Sequence, residues 1–302
     1  MRMEKHMNFK EEYQKRIESI ESILEKYLPV QEGYQKIIME AMEYSLMAGG
    51  KRLRPMLMKE SFTLFGGEGE IIEPFMAAIE MIHTYSLVHD DLPAMDNDEY
   101  RRGRKTTHVV YGEDMGILAG DALLNYAFET ACRAFDIAPE QSSCIGQALK
   151  ILAGKAGIYG MIGGQVVDVK ESGHILTGDM LDFIYRLKTS ALIESSMMIG
   201  AVLAGADTGD TEKMEKIARR IGLAFQIQDD ILDVTSTTEV LGKPVHSDEK
   251  NEKTTYVTWK GLEESKEEVL RMTEEAVREL RTMQADGGFL EELLKSLVYR
   301  EK

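Results

Sequence analysis

A chain of 302 residues can bury a sizeable core, and a hydrophobic fraction of 43% excludes wholesale disorder. Its formal net charge of -16 excludes nucleic acid and an anionic membrane surface as main partners. Cys132 and Cys144 are too few for a disulfide framework and lack zinc-ligand spacing, Met1 to Phe9 has no apolar signal core, and no stretch of 18 apolar residues appears, which together read as a cytoplasmic protein with no stable membrane insertion.

Taken in order, Tyr13, Ile17, Ile20, Leu24, Tyr27 and Leu28 fall at three- and four-residue steps and predict an amphipathic helix that Pro29 stops. A second helix carries Tyr34, Ile37, Ile38, Ala41, Met42 and Leu46, and breaks at Gly49-Gly50 before Lys51-Arg52-Leu53-Arg54-Pro55. After the Gly66-Gly67-Glu68-Gly69 loop, Pro74 suits the first turn of an apolar helix from about Phe75 to Asp91, which Pro93 prevents from continuing unchanged. Gly112 to Gly116 makes a short break before a helix through Asp121 and Tyr126 to Phe135, and Pro139 opens the next, running towards Gly163-Gly164. Thr177-Gly178-Asp179 caps a long helix containing Lys188. A further helical pattern spans about Thr211 to Thr235, a polar loop runs from Ser236 to Lys253, and two or three helices close the chain. No alternating strand, repeat or long Pro/Ser-rich linker appears, so the expectation is an all-α chain, one large helical bundle forming a single domain over residues 1–302. The 19 methionines read as core filler, since Met packs irregular gaps.

Two acidic runs stand out. The first is Asp90-Asp91-Leu92-Pro93-Ala94-Met95-Asp96-Asn97-Asp98, followed by Glu99-Tyr100-Arg101-Arg102-Gly103. Carboxylates this dense repel unless cations separate them, and oxygen-only ligands favour Mg²⁺ bridging carboxylates to substrate phosphates. Arginines suit the same phosphates, because a guanidinium holds two oxygens at once. A solvated acidic turn is the bland alternative for this run alone. The second run, Asp229-Asp230-Ile231-Leu232-Asp233, has the pattern DDxxD, with Asp229 and Asp233 one helical turn apart. Its flanking Phe225, Ile227, Ile231 and Leu232 make charges costly there unless something pairs with them. Two such runs embedded in apolar helix point to a metal–diphosphate clamp, with Lys51, Arg54, Arg101, Arg102, Lys188, Lys243 and Lys253 as the basic complement.

With these pieces in view, the chain resembles the trans-isoprenyl diphosphate synthases, the farnesyl and geranylgeranyl diphosphate synthase family. The matching segments are Gly49 to Pro55, the first aspartate-rich run through Gly103, Gly120-Asp121-Ala122-Leu123, Gly163-Gly164-Gln165, Lys188-Thr189-Ser190, Phe225-Gln226 with the second run, and Gly242-Lys243-Pro244. They occur in the family's order. The resemblance implies an all-helical bundle around a central cavity, a homodimer, and condensation of an allylic diphosphate with isopentenyl diphosphate. It implies that Asp90, Asp91 and Asp96 bind two Mg²⁺ and Asp229 with Asp230 a third, about three per site, with Asp233 acting nearby through water. Lys51, Arg54, His83 and Arg102 match the isopentenyl diphosphate site. Arg101, Lys188, Thr189, Gln226 and Lys243 match the surroundings of the allylic substrate, and Lys253 would help hold its diphosphate after closure. His83, read without the resemblance, is more often a satisfied core histidine than a ligand; the helical face it shares with the first aspartates and the resemblance reverse that balance, while Asp121 reads equally as a structural cap or pairing residue.

In this family product length follows the residues just before the first run, here Tyr85 and Ser86. An aromatic ring five residues before Asp90, with the insertion Pro93-Ala94, resembles bacterial farnesyl diphosphate synthases and implies a C15 product; geranylgeranyl diphosphate, C20, is the alternative. Glu99-Tyr100 stands where Asp-Leu is usual, and His246 where glycine is common. The tail Tyr299-Arg300-Glu301-Lys302 keeps basic residues that the resemblance places within reach of the isopentenyl diphosphate site. A class I terpene cyclase would need an Asn/Ser/Glu-type second motif in place of the second run. A non-catalytic regulatory subunit would be expected to have lost one cluster, and a cation buffer leaves the basic set unexplained.

Overall fold

The computed structural model describes residues 8–235, 254–283 and 288–298. The chain divides into two compact units: the first comprises residues 1–60 and 68–149, the second residues 61–67 and 150–302. Both are helical. Among the described residues the only β structure is a two-stranded hairpin in the first unit.

In the first unit, α1 (Phe9–Tyr27), α2 (Lys36–Leu46), the start of α3 (Leu53–Leu64), α4 (Glu73–Asp90), α5 (Thr107–Tyr111) and α6 (Glu113–Cys132) follow in order. α4 is the organising helix. Pro74 occupies its first turn, and residues from Pro74 to Ile82 are buried on every side. Such a helix lacks a polar face because its neighbours, α1, α2 and α6, cover it from several directions. Each fully buried Ile, Met or Phe here, such as Ile79, Met81 and Phe75, stabilises the unit by about 1.5–3 kcal/mol. The short helix α7 (Ala134–Ile137), a 3₁₀ turn at Pro139–Gln141 and α8 (Ser142–Ala156) come next, so the helix Pro139 was expected to open ends at Ala156 instead of running to Gly163.

In the second unit, α9 (Met161–Lys170) starts anew and α10 (Gly178–Ile184) is capped by the Thr177 hydroxyl, which accepts from the Met180 amide. A single π turn at Tyr185–Ser190 leads into α11 (Ala191–Leu203). Every residue of α11 except Met198 is buried, so this helix is the core of the second unit as α4 is of the first. α12 (Thr208–Thr235) packs on α11 and on the Leu262–Thr282 helix, and helices Tyr256–Lys260 and Gly288–Val298 complete the unit.

Candidate active site

The first aspartate-rich run begins at the C-terminus of α4. The Asp91 amide closes the helix on the Leu87 carbonyl, and the chain then turns over Pro93-Ala94. The Met95 and Asn97 amides return to the Leu92 carbonyl, and the Asp96 amide donates to the Asp90 carbonyl at 2.9 Å. The two-residue insertion therefore builds a tight turn that carries Asp96 back beside Asp90. Asn97 takes φ of 54° to make it.

The strands β1 (Tyr100–Arg101) and β2 (Arg104–Lys105) follow directly, in register Tyr100↔Lys105 and Arg101↔Arg104. Arg102 and Gly103 form the turn with φ of 54° and 74°, the left-handed pair that a two-residue hairpin requires. The sequence reading missed this hairpin, because Asn-Gly or Asp-Gly is the usual signal and an arginine occupies the first turn position. Its anchors are Tyr44, whose hydroxyl donates to the Lys105 carbonyl at 2.8 Å and whose ring lies under the Arg104 guanidinium, and Thr106, whose hydroxyl donates to the Asp98 carbonyl.

The hairpin aims two arginines in different directions. Arg101 folds onto Asp91, its Nε within 2.8 and 3.0 Å of the two carboxylate oxygens and its Nη2 2.6 Å from Oδ1. Burial pushes the Asp91 carboxyl above its ordinary range, against the opposing pull of this guanidinium. Arg102 instead points to Gly49-Gly50, donating to the Gly49 carbonyl. A Cβ on Gly50 would come within 2.8 Å of the Arg102 guanidinium, and Gly50 has φ of 139°, so the glycine pair meets both a steric and a conformational demand.

Around Arg102 gather Arg54 and His83, all three in the first unit. The Arg54 Nε is buried and has no hydrogen-bond partner among the described residues. Burial lowers the Arg54 guanidinium to about 10, with Arg102 adding to the fall and Glu80 opposing it. His83 is driven well below its usual value by burial and by Arg54, Arg102, Arg101 and Arg52, and is therefore neutral. Arg52 is not part of this group. Its Nε lies 2.6 Å from Glu21 and its Nη1 2.9 Å from Glu80, and at φ of 46° it orders the segment between Lys51 and Arg54. Left-handed backbone at Arg52, Asn97 and Arg102, all three non-glycine, is a concentration of strain where the candidate ligands meet.

The second unit gathers Lys188, Thr189, Gln226 and Asp230 around one cleft, with Asp168 and Tyr185. The π turn displaces Lys188 and Thr189 from the regular helical course, a local widening often found at functional positions. Gly164 of α9 lies against it, where a Cβ would come within 2.3 Å of the Lys188 amide nitrogen. Lys188 Nζ lies 2.5 Å from an Asp168 oxygen, and the Thr189 hydroxyl donates to the Gln226 side-chain carbonyl at 2.9 Å. Asp230 is buried, its Oδ2 accepting from the Tyr185 hydroxyl at 2.5 Å and the Tyr256 amide at 2.9 Å. Asp229 is half-buried and Asp233 buried on the same helix. Asp168, Tyr185 and Tyr256 escaped the sequence reading; for Asp168 the signal was present, an acid on the helix opened by Gly163-Gly164. Lys243, Lys253, His246 and residues 299–302 lie outside the described residues. Lys51 is exposed, with its carbonyl accepting from the Tyr13 hydroxyl, and Asp121 is exposed near His89.

The chemistry of the donor set fits Mg²⁺. Among the described residues no three His, Cys, Asp or Glu side chains already converge on one point. Mg²⁺ does not need such a cage, since it keeps several waters and takes one or two carboxylates together with substrate phosphates. Asp90 with the returning Asp96, and Asp229 beside the hydrogen-bonded Asp230, present that kind of partial oxygen set.

The polyprenyl synthetase family model matches residues 35–287, and the chain belongs to that family. It is a prenyltransferase. The chain is 42% identical to the farnesyl diphosphate synthase of Geobacillus stearothermophilus, over 94% of this chain and 95% of that one. It is 46% identical to the geranylgeranyl diphosphate synthase of Cyanophora paradoxa, over 88% and 87% respectively. Among solved structures, the geranyltransferase from Helicobacter pylori complexed with magnesium and isoprenyl diphosphate matches with a TM-score of 0.82 at 32% identity, covering 97% of each chain.

Proposed function

We propose that this prenyltransferase condenses isopentenyl diphosphate with dimethylallyl or geranyl diphosphate to give farnesyl diphosphate, C15, using about three Mg²⁺. The observation that carries the reading is the set Arg54, Arg102 and His83 beside the Asp90–Asp96 turn: two guanidinium groups, one with a buried Nε that has no partner among the described residues, call for an anion.

Arg54, Arg102 and neutral His83, with Lys51, hold the isopentenyl diphosphate. His83 then serves as a hydrogen-bonding group and adds no charge. Asp90, Asp91 and Asp96, and likewise Asp229, Asp230 and Asp233, would hold the Mg²⁺, which when bound neutralises the charge growing on the departing diphosphate. Arg101 orients Asp91, and Lys188 moves from Asp168 to the allylic diphosphate with Lys243 and Lys253. The Thr189 hydroxyl and the Gln226 carbonyl offer dipoles to the allylic cation, because their oxygens are already placed together. The alkene of isopentenyl diphosphate attacks that cation, and the released diphosphate takes the proton that restores the double bond. No protein nucleophile is needed.

The buried ring of Tyr85, five residues before Asp90, supports a C15 floor. The identity to a geranylgeranyl diphosphate synthase favours C20 as the second reading. A homodimer is supported by exposed Val109, Val110, Ile117 and Leu118 on α5 and α6, and sedimentation at several concentrations tests it. The activity is tested with purified protein, Mg²⁺, geranyl diphosphate and labelled isopentenyl diphosphate. A single C15 product is expected; C20 would sink the floor reading, and no product from the protein alone would favour a regulatory subunit.

A further inference from the structure

Tyr85 and His89 stand one turn apart on α4, on the side that packs against α6. Their rings meet edge to face, with centroids 5.8 Å apart and planes at 80°. Tyr85 is 5% exposed, and its hydroxyl is buried without a hydrogen-bond partner among the described residues. No polar contact fixes that ring, so its place depends on what packs against it. His89 is fixed from the other side. Its Nε2 lies 3.1 Å from the Ile117 carbonyl on α6, which can only accept, so Nε2 carries the proton and donates. The imidazole also fills the space over Gly120. A Cβ there would come within 2.1 Å of Nε2 and 2.3 Å of Cδ2. Gly120 is thus small because His89 occupies the place of its side chain.

We propose that His89 is a positioning residue for product length: tied to Ile117 and seated on Gly120, it braces the Tyr85 ring that closes the floor of the prenyl site. The inference rests on the reading of Tyr85 as that floor. Specificity is then set by a three-part contact across α4 and α6, and an aromatic five residues before Asp90 suffices only while its brace is intact. The neighbouring Asp121 carboxylate, 3.8 Å from Nε2, is a secondary partner, because the Ile117 carbonyl is closer.

The test compares product distributions of His89→Ala, Gly120→Ala, His89→Gln, Tyr85→Ala and the double variant Tyr85→Ala/His89→Ala, each with geranyl diphosphate and labelled isopentenyl diphosphate. His89→Ala should raise the ratio of longer to parental product by about threefold to tenfold, the equivalent of losing one edge-to-face contact. Gly120→Ala should do the same by expelling the imidazole. His89→Gln keeps a donor within reach of Ile117 and bulk over Gly120 but not the aromatic edge, so its distribution should fall between those of the parent and His89→Ala, a partial rescue that loss of general stability would not give. The double variant should make no longer product than Tyr85→Ala, since both act on one ring. If Tyr85→Ala lengthens the product while His89→Ala and Gly120→Ala do not, the brace is refuted and the floor stands. A double variant that exceeds Tyr85→Ala also refutes it, because His89 would then act independently. If Tyr85→Ala leaves the product unchanged, the floor reading fails and the brace fails with it. Should His89→Ala not fold by circular dichroism, Gly120→Ala against His89→Gln decides the question.

Discussion

The Arg101 guanidinium grips the Asp91 carboxylate at three distances of 3.0 Å or less, joining the first strand of the hairpin to the end of α4. A planar fork does this and an ammonium does not. Arg101→Lys keeps the charge and loses the two-point hold, so Asp91 should wander. The expected result is a fall in kcat of about 10²-fold, the scale of a 1 Å misplacement near the chemistry. Single-turnover rates across a Mg²⁺ titration check it, with the half-saturating Mg²⁺ concentration rising as well. An unchanged Mg²⁺ requirement would separate Arg101 from metal binding.

Arg54 and Arg102 differ from Arg101 in lacking, among the described residues, a carboxylate partner of their own. Arg54→Ala or Arg102→Ala should raise the KM for isopentenyl diphosphate by the equivalent of about 1.5–3 kcal/mol, the net value of a hydrogen bond to a charged group. The KM for the allylic substrate should stay near its parental value. Inorganic pyrophosphate without Mg²⁺ should raise the melting temperature of the parent and not of Arg54→Ala.

His83 makes folding stability sensitive to acid. Its folded-state pKa is depressed well below 6.5 by burial and neighbouring arginines, so below pH 6.5 the unfolded chain binds a proton that the folded chain refuses. Stability should therefore be intact above pH 6.5 and fall by about 1.4 kcal/mol per pH unit below it from this group alone. Urea unfolding of the parent and His83→Gln between pH 7.5 and 5.5 tests this, and the variant should show the shallower decline. Equal slopes would mean that His83 is protonated in the folded protein.

One substitution should have opposite signs at two helical glycines. At Gly164 an added methyl meets backbone, 2.3 Å from the Lys188 nitrogen, and cannot be accommodated by turning a side chain. Gly164→Ala should cost about 1–3 kcal/mol and displace the π turn, lowering kcat. At Gly146, in α8, a methyl meets nothing within 4 Å. Gly146→Ala should stabilise by about 0.5–1 kcal/mol and leave kcat unchanged. Denaturant midpoints and initial rates of the two variants check the pair.

Several parts of the fold and site could be read without coordinates because they are local. Apolar spacing at three and four residues defines α1, α2 and α12, Pro74 marks the start of α4, and Thr177 caps α10. Both aspartate runs and the basic segments declare themselves as side-chain chemistry, which depends on residue identity. The hairpin at Tyr100–Lys105 was hidden because Arg102 adopts a left-handed backbone without the usual turn residue, in a hairpin held by Tyr44 from a remote part of the chain and by Thr106 at its base. The π turn was hidden for a similar reason: Tyr185–Ser190 has helical composition, and its extra residue is accommodated against Gly164 and Gly222.

Helical class, family and the identity of the charged side chains are thus properties of the linear chain, since periodicity and composition act through neighbours along it. How those charges are partnered is a property of the folded molecule. Arg101 goes to Asp91 and Arg102 to the glycine pair. Arg52 is consumed by Glu21 and Glu80, and Arg54 is left with a buried, unsatisfied nitrogen. Four arginines of similar sequence context have different fates because burial and partner distance, set by residues remote in sequence, fix the energy of a charge.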